Sequence, residues 1–121
     1  MKRLTASAIL GITLLSGCSL FARGPDEYRT AVRNVLDSKS PDLESCYERA
    51  HDANPEVKGV VVVHFFVEPK TGDISNPELV KEQTTADESL QRCVLDSLGG
   101  LKLDPADQRK GDATFVWNFN V

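Results

Sequence analysis

The sequence has few of the residues and motifs that mark enzymes and nucleic-acid-binding proteins. It contains two histidines, His51 and His64, and no Cys-x-x-Cys pair, so no ligand set has metal-site spacing. Acidic residues outnumber basic ones, 18 to 14, which leaves no electrostatic footprint for nucleic acid. The pair Gly99-Gly100 follows a predicted helix instead of preceding one, so it is not a phosphate-binding loop. We expect no enzymatic activity, no cofactor and no metal.

The sequence also lacks an apolar run long enough to cross a bilayer as a helix. Residues 4–15 are uncharged over only about a dozen positions, with basic residues before them. The run ends in Leu15-Ser16-Gly17-Cys18, which resembles a bacterial lipoprotein processing site. It predicts that the signal peptide 1–17 is removed and that Cys18 carries the lipid. The alternatives are a secretory peptide with an incidental cysteine and an uncleaved anchor.

Lipidation would place the protein in the cell envelope. Removal of Lys2 and Arg3 takes the net charge from −4 to about −6, so no polybasic patch remains for anionic lipid and the acyl chains must anchor the protein. Residues 18–24 form a short tether that keeps the domain near the membrane. Ser19, in place of an aspartate, resembles lipoproteins sorted to the outer membrane, so we expect an outer-membrane protein that faces the periplasm.

Two cysteines remain once Cys18 carries lipid. In an oxidising envelope compartment, Cys46 and Cys93 are expected to form a disulfide. Closing the loop between them would stabilise the fold by roughly 4 kcal/mol in the chain-entropy treatment. The competing interpretation is a redox-active or metal-binding pair.

Hydrophobic periodicity predicts one α+β domain over residues 25–121. Its first third has helical spacing from Pro25 to just before Asn54, as two short helices or one bent helix broken at residues 38–41, with Ser40 as the second N-cap. The β-branched and aromatic run 60–67 predicts an interior strand. A turn at residues 70–73 predicts a hairpin to a second strand at 74–80.

The second half of the domain is predicted to hold one helix and one strand. Pro77 limits the strand at 74–80 to an edge or a bulge. A helix opens at residues 86–89 and ends at Gly99-Gly100. Residues 104–112 are predicted to be a polar loop, and residues 114–121 alternate as a final strand. We therefore expect a three-stranded antiparallel sheet with helices packed on one face, in the order α-β-β-α-β.

Several short motifs in this order resemble a known family. They are Cys46-Tyr47-Glu48, Gly59 leading into Val61-x-Val63-x-Phe65, Gly72-Asp73-Ile74, Cys93-Val94 and an aromatic last strand that ends in Phe119. Together, over residues 28–121, they are similar to the C-terminal domain of TonB-like proteins, in the cysteine-paired variety named for the myxobacterial proteins AgmX and PglI. The resemblance implies the α-β-β-α-β fold and an envelope protein that binds other proteins. In TonB itself an extended receptor segment adds a strand to a sheet edge.

The sequence departs from TonB-like energy transducers in how it meets the membrane. Those proteins have an uncleaved transmembrane helix and a long proline-rich spacer, and this sequence shows neither. Because a lipid anchor cannot couple to a motor through the membrane, we expect a non-catalytic binding or scaffold module whose partner is another envelope protein, engaged through an extended peptide segment. The alternative is a component related to TonB-like energy transducers in a transport, gliding-motility or secretion complex.

The last strand is the candidate surface for this partner. No charged residue occurs from Ala113 to the end of the sequence, where edge protection would normally place one. The predicted partner-binding residues share one face of the strand: Thr114, Val116, Asn118 and Asn120. The alternatives are that the strand at 74–80 is the open edge, or that the last strand is central and paired on both sides.

Mass spectrometry of the mature protein tests both cysteine assignments. The N-terminus should be an acylated Cys18, and the mass should be short by the hydrogens lost in a Cys46–Cys93 bridge. An unmodified N-terminus would contradict lipidation. Two free thiols in protein purified from the envelope would contradict the disulfide.

Overall fold

The computed structural model describes residues 22–120. The predicted signal peptide 1–17, the predicted lipidation site Cys18 and the last residue, Val121, lie outside the described residues. The elements in chain order are α1 (Pro25–Asp37), α2 (Ser40–Ala53), β1 (Val60–Val67), β2 (Ile74–Leu79), a 3₁₀ turn (Lys81–Gln83), α3 (Glu88–Ser97) and β3 (Gly111–Asn118). The predicted α+β class and order are confirmed, with the first helical region divided into two helices.

Several element boundaries differ from the sequence prediction. Strand β2 ends at Leu79 instead of residue 80, and β3 ends at Asn118 instead of residue 121. The N-cap of α2 is Lys39 instead of Ser40, because the backbone of Ser40 is already helical. Strand β3 begins at Gly111, three positions before the predicted start at Thr114, because the pairing with β1 extends to Val67 opposite Gly111. The prediction for α3 is confirmed, and the side chain of Asp87 caps it by accepting a hydrogen bond from Leu90 N at 3.0 Å.

The sheet is antiparallel in the order β2-β1-β3, so β1 is the central strand. Its apolar run suits this position because both of its edges are paired and one face is fully covered. The side chains of the covered face are buried with no measurable exposure: Val61, Val63, Phe65 and Val67.

The helices cover that face of the sheet and form the core with it. Each helix contributes its buried apolar side chains to one cluster with the inward residues of β1. These side chains are Val32 and Leu36 of α1, Leu43 and Cys46 of α2, and Leu90 and Val94 of α3. Within residues 22–120, none of the three α-helices packs against the opposite face of the sheet, which we call the helix-free face.

A disulfide joins Cys46 of α2 to Cys93 of α3 across 47 positions of sequence, with the two Cα atoms 5.8 Å apart. Cys46 is buried in the core, and the guanidinium of Arg49 donates to Cys93 Sγ at 3.1 Å. The bridge therefore links the two helices that pack beside each other over the sheet.

Replacement of both cysteines by alanine is expected to lower the free energy of unfolding by about 3–4 kcal/mol, since the unfolded chain gains the entropy of an open loop. Denaturant titration of the double variant Cys46→Ala/Cys93→Ala measures the difference. Wild-type protein unfolded with a thiol reductant present is the matched control and should lose a similar amount. An unchanged midpoint in both samples would show that the bridge does not stabilise the fold.

Candidate functional site

Strand β3 lies at an edge of the sheet and pairs with β1 alone among the described residues. On its outward side, β3 faces helix α1 across a cavity of about 660 Å³. We call this cavity the α1–β3 groove. Helix α1 contributes Tyr28, Arg29 and Arg33 to it, the loop before β3 contributes Arg109 and Lys110, and β3 contributes residues 111–116.

The backbone N–H and C=O groups of alternate β3 residues point away from β1. Phe119 N–H donates to the carbonyl of Gly59, the residue before β1, at 2.8 Å. Backbone N–H and C=O groups alternate between the two edges of a strand. Those of Phe115 and Trp117 therefore also point towards β1, and those of Thr114 and Val116 point away from it.

The hydrogen bonds of β1 agree with this direction. Val62 lies opposite Val116, yet its N–H donates to Thr84 Oγ1 at 3.1 Å and its carbonyl accepts from Val80 N–H at 2.8 Å. Both bonds are made on the side away from β3. Within residues 22–120, no hydrogen bond reaches the outward backbone groups of Thr114 or Val116. The edge of β3 is therefore open to another strand in the described part of the protein.

Three of the four predicted partner-binding residues come together on one exposed face of β3: Thr114, Val116 and Asn118. Val116 is 58% exposed, unusually high for a large apolar side chain. Asn120 lies beyond the strand and serves the fold. Its N–H donates to Asn118 Oδ1 at 2.8 Å, and its own side chain accepts from Gly59 N–H at 2.9 Å.

A buried carboxylate sets the position of α1 relative to β3. Asp107 is 1% exposed and accepts hydrogen bonds from the N–H groups of Arg23 and Arg109 at 2.8 and 3.0 Å. The Arg23 guanidinium lies 3.6 Å from the same carboxylate and also donates to the carbonyl of Pro105 at 2.8 Å. The Arg109 guanidinium donates to the carbonyl of Arg23. These contacts join the segment before α1 to the loop before β3.

Opposing effects act on the pKa of Asp107, and the net shift is downward. Burial alone would raise the pKa, but the two backbone donors and the two guanidinium groups favour the charged form and lower it. The sequence placed Asp107 in a polar loop and did not identify this role. No local signal could have done so, because its partner Arg23 lies 84 positions away.

The groove also depends on a glycine at the start of β3. The ring of Tyr28 lies against Gly111, and a Cβ atom at that position would come within 2.3 Å of Tyr28 Oη. Burial and the charge of Asp107 together raise the pKa of Tyr28, so its hydroxyl remains protonated at neutral pH. That buried hydroxyl has no hydrogen-bond partner within residues 22–120.

The two histidines lie at or near the surface of the domain. His64 is half-buried on the helix-free face of the sheet, where its ring pairs with Asp112 of β3 and packs edge-on against Phe66. His51, in the last turn of α2, packs against Tyr47. Among the described residues, no three His, Cys, Asp or Glu side chains come together as a metal site. No helix within that range has the length and apolar character needed to cross a membrane.

Comparisons of the chain with protein-family models, with curated proteins and with solved structures found no match. The resemblance to TonB-like domains therefore stays a prediction from the sequence motifs.

Replacement of Asp107 by alanine should lower the free energy of unfolding by about 3–5 kcal/mol, because it leaves the Arg23 guanidinium buried without its carboxylate. Thermal and denaturant unfolding measure this loss. Asp104→Ala, an exposed carboxylate in the same loop, is the matched control and should change stability by less than about 0.5 kcal/mol. Equal effects of the two substitutions would contradict the role of Asp107.

The stability contributed by Asp107 should also depend on pH. Its pKa is lower in the folded protein than its ordinary value of 3.8, so the contribution is fully present above that value. It is lost as the pH falls through the lowered pKa. The stability difference between wild type and Asp107→Asn should therefore shrink in acid, and a difference that stays constant down to the acid transition would contradict the assignment.

Proposed function

We propose that this protein is a membrane-anchored, non-catalytic binding module of the cell envelope that captures an extended segment of another envelope protein by strand addition to β3. The observation that carries the proposal is the open edge of β3. Its outward backbone groups at Thr114 and Val116 have no partner within the described residues, and no charged side chain follows Asp112 to protect the edge.

The other edge of the sheet is poorly suited to an added strand. Strand β2 contains Pro77, which has no N–H to donate, and Asn76 has a left-handed backbone with φ of 50°. The register between β1 and β2 also shifts between His64 and Phe66. These irregularities are typical of edges that resist pairing, so β3 is the favoured edge.

The position of the groove fits a protein held close to a membrane. The chain enters the domain at Arg23, which contacts Asp107 beside the groove. If Cys18 carries the lipid, the five residue-to-residue steps from Cys18 to Arg23 span at most about 18 Å. The groove would then lie within reach of segments of envelope proteins that emerge near the same membrane.

A second candidate function is a component related to TonB-like energy transducers in a transport, gliding-motility or secretion complex. The order of the sequence motifs from Cys46 to Phe119 favours it. It uses the same edge of β3 but requires the bound protein to be moved by a motor. Dependence of complex formation on the ion gradient across the inner membrane would distinguish it from a module that only holds its partner.

Proline at position 116 tests strand addition directly. Val116→Pro removes an N–H that points away from β1, so the pairing with β1 is retained and the domain should fold with only a small change in midpoint. Crosslinking in native membranes followed by co-purification should recover the partner with wild type and lose most of it with the variant. Thr114→Pro removes the neighbouring outward N–H and should act in the same way.

Trp117→Pro is the matched control for these variants. It removes an N–H that faces β1, so we expect it to unfold or strongly destabilise the domain. Normal partner recovery by a folded Val116→Pro or Thr114→Pro protein would overturn strand addition at β3. Unfolding by all three substitutions would show that the outward side of β3 is needed for the fold, which also contradicts an open edge.

A further inference from the structure

The lining of the α1–β3 groove is basic although the protein is acidic. The chain has a formal net charge of −4, but α1 and the loop before β3 place several arginine and lysine side chains around the groove. Asp112 is the single acidic residue of this lining within the described part of the chain. Asp112 pairs with His64 on the helix-free face of the sheet. The groove therefore has a net positive charge beside an open strand edge.

Two of these cations have no carboxylate partner in the described structure. Arg109 lies near Asp107, and Lys110 lies 3.8 Å from Glu68, so those charges are already balanced. Arg29 and Arg33 are exposed on α1, and no carboxylate of residues 22–120 lies within ion-pair distance of either. An anionic ligand in the groove would meet these two side chains.

Both arginines lie along the path that an added strand would take. Tyr28 contacts Gly111 at the start of β3, and the guanidinium of Arg33 lies 5.7 Å from the ring centre of Phe115 further along the strand. Helix α1 therefore follows the same direction as β3 along the groove. Positions 29 and 33 are separated by about 6 Å along the helix axis. Alternate residues of a strand are separated by about 6.6 Å, so two carboxylates at alternate positions match the two arginines.

We propose that the segment captured by β3 is acidic, with Asp or Glu at alternate positions that face Arg29 and Arg33 of α1. This inference rests on the proposed strand addition and specifies the chemistry of the partner. The intervening side chains of the segment face the helix-free side of the sheet, beside Val116, where an apolar residue fits. The segment is thus an extended sequence in which acidic and apolar residues alternate.

Synthetic peptides added to the full mature protein in detergent test the charge preference. Three capped peptides of about eight residues alternate valine with glutamate, glutamine or lysine, which holds length and β-propensity nearly constant. Trp117 is the only tryptophan of the chain and lies on β3, so its fluorescence reports binding. The glutamate peptide should bind about fivefold more tightly than the glutamine peptide at low salt, and the lysine peptide more weakly than both. The advantage of glutamate should fall as salt is added.

The double variant Arg29→Gln/Arg33→Gln should remove the preference for glutamate while the domain stays folded, because both side chains are exposed. Arg92→Gln is the matched control: Arg92 is an exposed helical arginine on α3, paired with Glu88 at 3.7 Å, and lies outside the groove. It should leave the preference unchanged. Equal affinity for the glutamate and glutamine peptides, or a preference that survives the double variant, would overturn the acidic segment.

The two proposals fail in different ways. If wild type binds the glutamate and glutamine peptides equally well and Val116→Pro binds neither, strand addition is supported and only the acidic partner is overturned. Three other occupants of the groove would also overturn the acidic segment. A second copy of the chain would appear as a dimer that Val116→Pro dissociates, and residues 18–21 of the same chain would crosslink to a photoreactive group at position 114. Lipid would appear as binding to phosphatidylglycerol vesicles that needs Arg29 and Arg33, without any peptide binding.

Discussion

The buried carboxylate of Asp107 holds the segment before α1 against the loop before β3, and the width of the α1–β3 groove depends on that contact. Asp107 and Arg23 are the charged side chains buried in the described part of the protein. Removing a charge from water is costly unless hydrogen bonds and an opposite charge compensate for it. Here two backbone N–H groups and two guanidinium groups do so.

The rest of the fold is stabilised away from the groove. The inward residues of β1 are buried against all three helices, and the Cys46–Cys93 bridge ties α2 to α3. Helix α1 and strand β3 flank the groove, and Val32 of the core lies at its floor with Phe115 beside it. A binding surface of this kind can admit a partner without disturbing the packing that keeps the domain folded. Because the disulfide and most of the core lie away from the edge of β3, a small domain can combine a rigid core with an open sheet edge.

Local patterns in the sequence predicted most of the fold. Neighbouring residues specify these elements: the apolar run of β1, the turn at residues 70–73, the helix start at residues 86–89 and the alternation of β3. The exposed face of β3 followed from the same alternation. What could not be predicted depends on contacts between distant residues. Asp107 is buried only because Arg23 folds back over it, and the basic groove exists only once α1 lies beside β3. The cap at Lys39 differed because the start of α2 depends on the turn that follows α1.

Strand addition requires β3 to be an edge that is open in the free protein and paired in the complex. Amide hydrogen exchange at Val116 measures that state directly, with Trp117 as the internal reference because its N–H faces β1. In the free protein the Val116 amide should exchange rapidly and the Trp117 amide slowly. Addition of the purified envelope partner, identified by crosslinking, should slow exchange of the Val116 amide and leave exchange of the Trp117 amide unchanged. Slow exchange of both amides in the free protein, or rapid exchange of Val116 in the complex, would contradict strand addition at β3.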